Sequence, residues 1–362
     1  MSSFTPRQSR TIGALLGVHA GDSLGATLEF KSHSWILENY PNGLHEIIGG
    51  GVFDWPPGHA TDDTDMTRAV LLAYQDHHRL KKQQQEQQQQ EEEDSRENRT
   101  DEKDRKIVYL AADRFLEWFT GDPWPDRSPG SHPLDIGGAT HTGLTTYTST
   151  RDPLTSGAGA GSAGNGSLMR CIPTALFVSD PKIRLRDSVL ISGITHNDPR
   201  CVVACAAYNA MAAALVNGKT PDEAVTAGEE VTRGVIESCS VTPGEENVIA
   251  GATSVLSAIA LGRSLSLPAI AQNGPPDSMP GKCGGYVLET LTLTVAAVLD
   301  TRCFEDVLVD VTRVGKDTDT NGAVAGGLLG AREGFEGIPA AWREKLQFGR
   351  EFEEIALELL DA

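Results

Sequence analysis

The stretch TIGALLGVHAGDSLG, residues 11–25, limits the architecture more than any other part of this sequence. Ile12, Leu15, Leu16 and His19 recur at the i, i+3, i+4, i+7 spacing of one helical face, with Gly13, Gly17 and Gly21 on a neighbouring stripe. A glycine costs an isolated helix about 1 kcal/mol. Three in register therefore imply a second backbone pressed against that stripe. The same small-residue texture recurs in CVVACAAYNAMAAALVNG (201–218), NVIAGATSVLSAIALG (247–262), YVLETLTLTVAAVL (286–299) and NGAVAGGLLGAREG (321–334). Alternating strand patterns are almost absent, and no repeat period points to a solenoid. These patterns predict an all-α domain of many short helices. Aromatic residues make up 6% of the chain, so its core must be built from Ala, Val, Leu and Ile.

One tract does not belong to that core. Residues 81–106, KKQQQEQQQQEEEDSRENRTDEKDRK, contain no large apolar side chain. They cannot bury enough surface to offset their ordering entropy, which predicts a mobile insertion or a solvated helical extension. The tract separates two helical patterns, MTRAVLLAYQDHHRL and IVYLAADRFLEWF, as a loop expansion without catalytic duty.

Two short segments carry unusual charge. ATDDTDMTRA (60–69) and GKDTDTNGAV (315–324) each crowd aspartates and threonines before an apolar helix. Carboxylates about 4 Å apart repel by roughly 4 kcal/mol at an effective dielectric near 20. DTDTNG matches the opening of a calcium EF-hand loop, but position 12, where that loop needs a bidentate glutamate, is Leu328. Helix capping accounts for one or two such residues at each start, whereas each segment has at least four. Two acidic helix starts converging on hard cations explain the excess. Oxygen donors without His or Cys favour Mg²⁺ or Mn²⁺ over Zn²⁺.

The net charge is −19, and a non-specific nucleic-acid or anionic-membrane binder would normally be basic. Neither partner is expected. The six cysteines (171, 201, 205, 239, 283, 303) form no CxxC pair and read as buried reduced thiols. No apolar run of signal-peptide type follows MSSFTPRQSR, so the expected compartment is the cytoplasm, with the nucleus as the other possibility. TSGAGAGSAGNGS (155–167) runs straight into LMRCIPTALFV. The successive N–H groups of GNGSLMR and the following helix start can cradle a pyrophosphate, which would let an acidic protein hold a diphosphate.

GALLGVHAGDSLGATLEF, GHATDDTDMT, DIGGATHTGL, GNGSLMR, GITHNDP, GGYVLETL and GKDTDTNGAVAGGLLGA stand here in that order. In these motifs the chain resembles the ADP-ribosylglycohydrolase family, in particular the branch containing the dinitrogenase reductase-activating glycohydrolase. The resemblance covers residues 11–345, less the 81–106 tract. It implies one compact orthogonal multi-helix domain over 1–362, a monomer, with a binuclear centre of two Mg²⁺ or Mn²⁺ ions. By the same resemblance the metal ligands are Thr61, Asp62 and Asp63 from the first acidic helix start, and Asp317, Asp319 and Thr320 from the second. Asp65 is left outside that set. Glu29 and Asp135 match the family's catalytic carboxylates, and Asp317 counts with them. Asn165, Gly166, Ser167, Leu168, Met169 and His196, with Tyr286 on a flexible loop, become the ADP-ribose contacts.

The implied reaction is hydrolysis at C1″ of an ADP-ribosyl group, releasing ADP-ribose. Glu29 or Asp135 would activate water or serve the leaving group. Two alternatives stay open. One is a phosphatase acting on ADP-ribose 1″-phosphate, and the other an ADP-ribose-binding protein that has lost catalysis.

Overall fold

The computed structural model describes residues 4–88, 100–239 and 245–361. Within them the chain forms α1 (Pro6–Gly25), α2 (His33–Asn39), α3 (Asp62–Gln88), α4 (Thr100–Thr120) and α5 (Gly138–Thr150). The middle holds α6 (Ile172–Phe177), α7 (Pro181–Gly193), α8 (Pro199–Val216), α9 (Pro221–Cys239), α10 (Glu246–Ser264) and α11 (Leu267–Asn273). The last third adds α12 (Val287–Leu299), α13 (Phe304–Arg313), α14 (Thr318–Glu333), α15 (Ala340–Arg343) and α16 (Gly349–Leu360). No strand occurs among the described residues; three isolated β-bridges tie loops together. The expected all-α, single-domain architecture is what forms.

The glycine stripe explains its centre. A Cβ placed on Gly13 would meet Gly330 and Gly334, one on Gly17 would meet Gly326, and one on Gly21 would meet Gly322, in each case on backbone atoms. The partner numbers fall as those of α1 rise, so α1 and α14 run antiparallel with their backbones in contact. Both helices are buried, α1 from Thr11 to Gly25 and α14 from Thr318 to Ala331. Thr318 Oγ1 donates to Gly25 O at 2.7 Å and locks the end of one helix to the start of the other. Around this pair α8, α12 and α13 pack on α14, and α16 covers α1. By composition α8 is long and apolar enough to cross a membrane, yet 83% of it is buried in the fold.

His19, on the apolar face of α1, is a satisfied core residue. Its Nε2 accepts from the Phe348 amide at 3.3 Å, and Nδ1 lies 3.2 Å from Ser23 Oγ. Burial lowers its pKa to about 4, so the ring is neutral. The low-complexity tract is entered and left by helix: α3 continues to Gln88 and α4 begins at Thr100. Its centre, 89–99, lies outside the described residues. All six thiols are unpaired; Cys171, Cys201, Cys205 and Cys283 are buried as expected, whereas Cys239 is half-buried and Cys303 exposed.

Candidate active site

The antiparallel contact of α1 and α14 brings the segment after α1 against the start of α14. Two residues with left-handed backbone mark the junction, Phe30 (φ 61°) and Lys316 (φ 68°). Such a conformation costs a non-glycine residue about 1–2 kcal/mol. It is held by the Phe30 amide donating to Lys316 O at 2.7 Å and the Lys316 amide donating to Lys31 O at 2.8 Å. Each strained residue adjoins a carboxylate, Glu29 on one side and Asp317 on the other. As a result, oxygens of Glu29, Asp317 and Asp319 lie within 4.8 Å of one another.

The start of α3 joins the same cluster. Thr320 Oγ1 donates to Asp63 Oδ2 at 3.2 Å, and Thr61 Oγ1 to the same oxygen at 3.4 Å. A first-turn amide occupies one of these oxygens, Asp319 Oδ1, which accepts from Thr320 N at 2.9 Å; the other carboxylates are not used in this way. The N-cap residue of α14 is Asp317, whose side chain makes no capping bond; its Oδ2 accepts from Asn165 Nδ2 at 2.7 Å instead. At α3 the free amides are served by Asp22, reaching over from α1. Its Oδ2 accepts from Thr61 N at 3.0 Å, from Thr64 N at 3.2 Å and from the Thr64 hydroxyl. Asp62 and Asp63 are thereby released from capping. Asp65 turns away, accepting from Trp118 Nε1 at 3.0 Å.

The electrostatics are those of negative charge without a counter-charge. Among the described residues no Lys or Arg forms an ion pair with Asp22, Glu29, Asp62, Asp63, Asp135, Asp317 or Asp319. Burial is the largest cause of their raised pKa values, and for Glu29, Asp62, Asp63, Asp135 and Asp319 carboxylate repulsion reinforces it: Glu29 rises to about 9, with Asp135, Asp317 and Asp22 as its charged neighbours. Asp62, Asp63 and Asp319 rise well above the ordinary carboxylate range, and Asp22 and Asp135 rise to about 6. Buried oxygens of Asp22, Glu29 and Asp63 have no hydrogen-bond partner. Native folds rarely leave such atoms orphaned. An all-oxygen donor set with unsatisfied buried oxygens fits a hard divalent cation.

Beside the carboxylates runs the glycine-rich loop. The Asn165 amide donates to Gly285 O at 3.1 Å and the Val287 amide to Ala163 O at 3.1 Å, stitching 163–165 to the segment that carries Tyr286. Tyr286 is held in this conformation by that bridge and by Arg200, whose Nη1 donates to the phenolic oxygen at 3.3 Å. His196 stands on the other side of the loop, with Nε2 about where a Cβ on Gly166 would come, 3.2 Å away. Gly166 is thus needed for close approach, whereas a Cβ on Gly164 would make only ordinary contacts, and neither residue has positive φ. The amides of Gly164, Gly166 and Ser167 donate no hydrogen bond among the described residues. The helix that follows, α6, is a six-residue helix, so these loop amides, not a helix end, are the free donors. Leu168 and Met169 point their side chains into the core and Ser167 Oγ accepts from Ser192 Oγ, leaving only backbone of these three for a ligand.

The profile of the ADP-ribosylglycohydrolase family matches residues 4–362. This chain belongs to the ADP-ribosylglycohydrolase family. It is a hydrolase of the glycosidase type, acting on ADP-ribosylated substrates. It is 27% identical over 339 residues to the ADP-ribosyl-[dinitrogen reductase] glycohydrolase of Rhodospirillum rubrum, covering 93% of this chain and 90% of that one. With the ADP-ribosylarginine hydrolase Tri1 of Pseudomonas putida it shares 26% identity over 363 residues, 99% of this chain and 80% of the relative. A solved structure described as an ADP-ribosylglycohydrolase-related protein complex superposes with a TM-score of 0.68 at 26% identity, covering 99% of both chains.

In this ADP-ribosylglycohydrolase, several residues that sequence reasoning missed surround the site. Asp22 carried a readable signal: it falls three residues after His19, on the buried side of a helix, where a carboxylate demands a partner. Thr140 is fully buried with an unpartnered hydroxyl, 3.2 Å from the place of a Cβ on Gly166. Arg200, paired with Asp198 at 2.8 Å, puts one neutralised cation beside Tyr286. Nothing in the spacing of Thr140 or Arg200 distinguishes them from ordinary helix residues.

Proposed function

We propose that this protein hydrolyses the bond at C1″ of ADP-ribosyl groups attached to arginine, in a reaction dependent on Mg²⁺ or Mn²⁺. The observation that carries the reading is the meeting of Glu29, Asp317 and Asp319 within 4.8 Å beside the Asn165 loop. Thr61, Asp62, Asp63, Asp317, Asp319 and Thr320 would hold two ions, which would supply positive charge for the ribose hydroxyls and the reacting centre.

The protein's own groups do the rest. The amides of Gly164, Gly166 and Ser167 receive the diphosphate, and His196 and Tyr286 flank it. Glu29 holds its proton in the metal-free cluster but would ionise beside bound cations, and its buried Oε2, free of partners, then takes the proton of the attacking water. Asp135, half-buried at the outer side, has its pKa lifted to about 6, which suits it to carry a proton to the departing group. The surrounding carboxylates stabilise an oxocarbenium-like transition state. An acidic mouth of Glu29, Asp62 and Asp135 attracts a guanidinium leaving group and repels a phosphate, which favours arginine over the 1″-phosphate; the relative named as an ADP-ribosylarginine hydrolase supports the same choice.

The test offers arginine-linked ADP-ribose, serine-linked ADP-ribose and ADP-ribose 1″-phosphate to the protein before and after exhaustive chelation, with released ADP-ribose quantified by chromatography. Arginine-linked substrate should be cleaved fastest, chelation should stop the reaction, and Mg²⁺ or Mn²⁺ should restore it. Full activity after chelation would refute the metal dependence. Tight ADP-ribose binding with no cleavage of any substrate would make the protein a reader.

A further inference from the structure

Arg170 is a buried cation that makes no ion pair, although the charge of Asp62 reaches it through space. Its side chain is fully enclosed, and among the described residues no carboxylate lies within ion-pairing distance of it. The guanidinium sits 4.4 Å from the centroid of the Phe115 ring. Nη1 donates to Gly166 O at 2.9 Å and Nη2 to Thr195 Oγ1 at 2.6 Å. Enclosing an unpaired cation is costly, so what it holds has a claim to function.

Thr195 Oγ1 has two polar neighbours among the described residues, Arg170 Nη2 and His196 Nδ1, the latter at 2.8 Å. A guanidinium can only donate, so it takes one lone pair of the hydroxyl. The single hydroxyl proton then has one acceptor in reach, Nδ1. The reverse arrangement, with Nδ1–H donating to Oγ1, would strand the hydroxyl proton in a buried place at a cost of about 1–3 kcal/mol. The ring is neutral, because burial and then the Arg170 charge lower its pKa to about 3. A neutral imidazole that accepts at Nδ1 carries its proton on Nε2. Nε2 is the ring nitrogen beside the loop: Cβ atoms on Gly164 and Gly166 would stand 3.4 Å and 3.2 Å from it.

We propose that Arg170 is a positioning residue which, through Thr195, fixes His196 as an Nε2–H donor aimed at an oxygen of the ligand seated on the 164–166 loop. The inference rests on the reading that ADP-ribose occupies that loop, and it narrows the subsite to a hydrogen-bond acceptor, a phosphate or ribose oxygen. It also accounts for the arginine of the GNGSLMR segment, since the same side chain holds the Gly166 carbonyl and, through one hydroxyl, the imidazole beside it.

The test uses the full chain labelled with ¹⁵N-histidine, with His196→Gln identifying the His196 signals. Long-range ¹H–¹⁵N correlations on the ligand-free protein should show the proton on Nε2. Thr195→Val keeps the shape of the side chain and removes the hydroxyl. It should release the Nδ1–H tautomer and weaken ADP-ribose binding at saturating Mg²⁺ by about tenfold, near the upper end for one neutral hydrogen bond. Thr195→Ser should restore both. A wild-type proton on Nδ1, or a Thr195→Val protein with unchanged tautomer and affinity, overturns the proposal. Because Arg170→Met also removes the support of Gly166 O and can fail to fold, the threonine variants decide. If the wild-type protein does not bind ADP-ribose, the functional reading falls, while the nitrogen spectrum still judges the relay.

Discussion

Substituting Gly21 by alanine tests the claim that a glycine contact positions the chemistry. A Cβ at Gly21 would stand 2.0 Å from Gly322 O, against an ordinary contact of at least 3.4 Å, so α1 and α14 must separate there by about 1.4 Å. Overpacking of this kind costs about 1–3 kcal/mol, offset by up to about 1 kcal/mol of improved helix propensity. The net loss of stability should therefore be about 0–3 kcal/mol. The site should suffer far more. Gly322 lies one turn from Asp317, Asp319 and Thr320, and metal–oxygen distances tolerate about 0.2 Å. A misplacement near 1 Å costs on the order of 100-fold in rate. Gly13→Ala is the control, since its Cβ would also meet backbone, 2.6 Å from Gly330 O. It lies two helical turns away, about 12 Å along α1. Denaturant melts, Mg²⁺ titrations and ADP-ribose release on both variants make the comparison. Wild-type Mg²⁺ affinity and turnover in Gly21→Ala would refute the reasoning, as would equal metal loss in Gly13→Ala.

Asp63→Asn should abolish hydrolysis, whereas Asp65→Asn, which keeps an acceptor for Trp118 Nε1, should retain it; equal loss in an activity assay would place Asp65 in the site. The unfolded Glu29 carboxyl ionises near 4.5, while burial and then Asp135, Asp317 and Asp22 make the folded one hold its proton to about 9. The folded state therefore binds more protons across that interval, and the metal-free protein should lose stability as pH rises from about 5 to about 9. Saturating Mg²⁺ should flatten the trend; thermal melts under chelator that stay level or rise with pH would contradict it. Gly166→Val puts bulk where a single Cβ already comes 2.9 Å from His196 Cε1, and calorimetry should find ADP-ribose binding at least tenfold weaker (~1.4 kcal/mol). Lys282→Ala should bind normally, because Nζ is turned toward Pro275 O at 3.1 Å. Replacing 81–106 by a short Gly/Ser linker should leave turnover unchanged; a large loss would mean that the tract reaches the site.

Local pattern decided a good deal of this protein. Helical periodicity and the four-residue glycine repeat were enough to require an all-α fold with two backbones in contact, because only a partner helix compensates for glycine in a helix interior. The excess of Asp and Thr at 61–65 and 317–320 over what capping needs singled out both acidic helix starts, since carboxylates repel wherever the chain folds. Which backbone meets the stripe was another matter. Gly21 and Gly322 are 301 positions apart, and only packing pairs them. Asp22 reads as a polar interruption until Thr61 and Thr64 are brought above it, and Arg170 reads as an ordinary helix-start residue until Thr195 closes on it. Both depend on contacts between segments distant in sequence, whose directions no single periodicity encodes. The tertiary structure therefore decided which oxygens converge, which caps are supplied from another helix, and which hydroxyl faces His196 Nδ1.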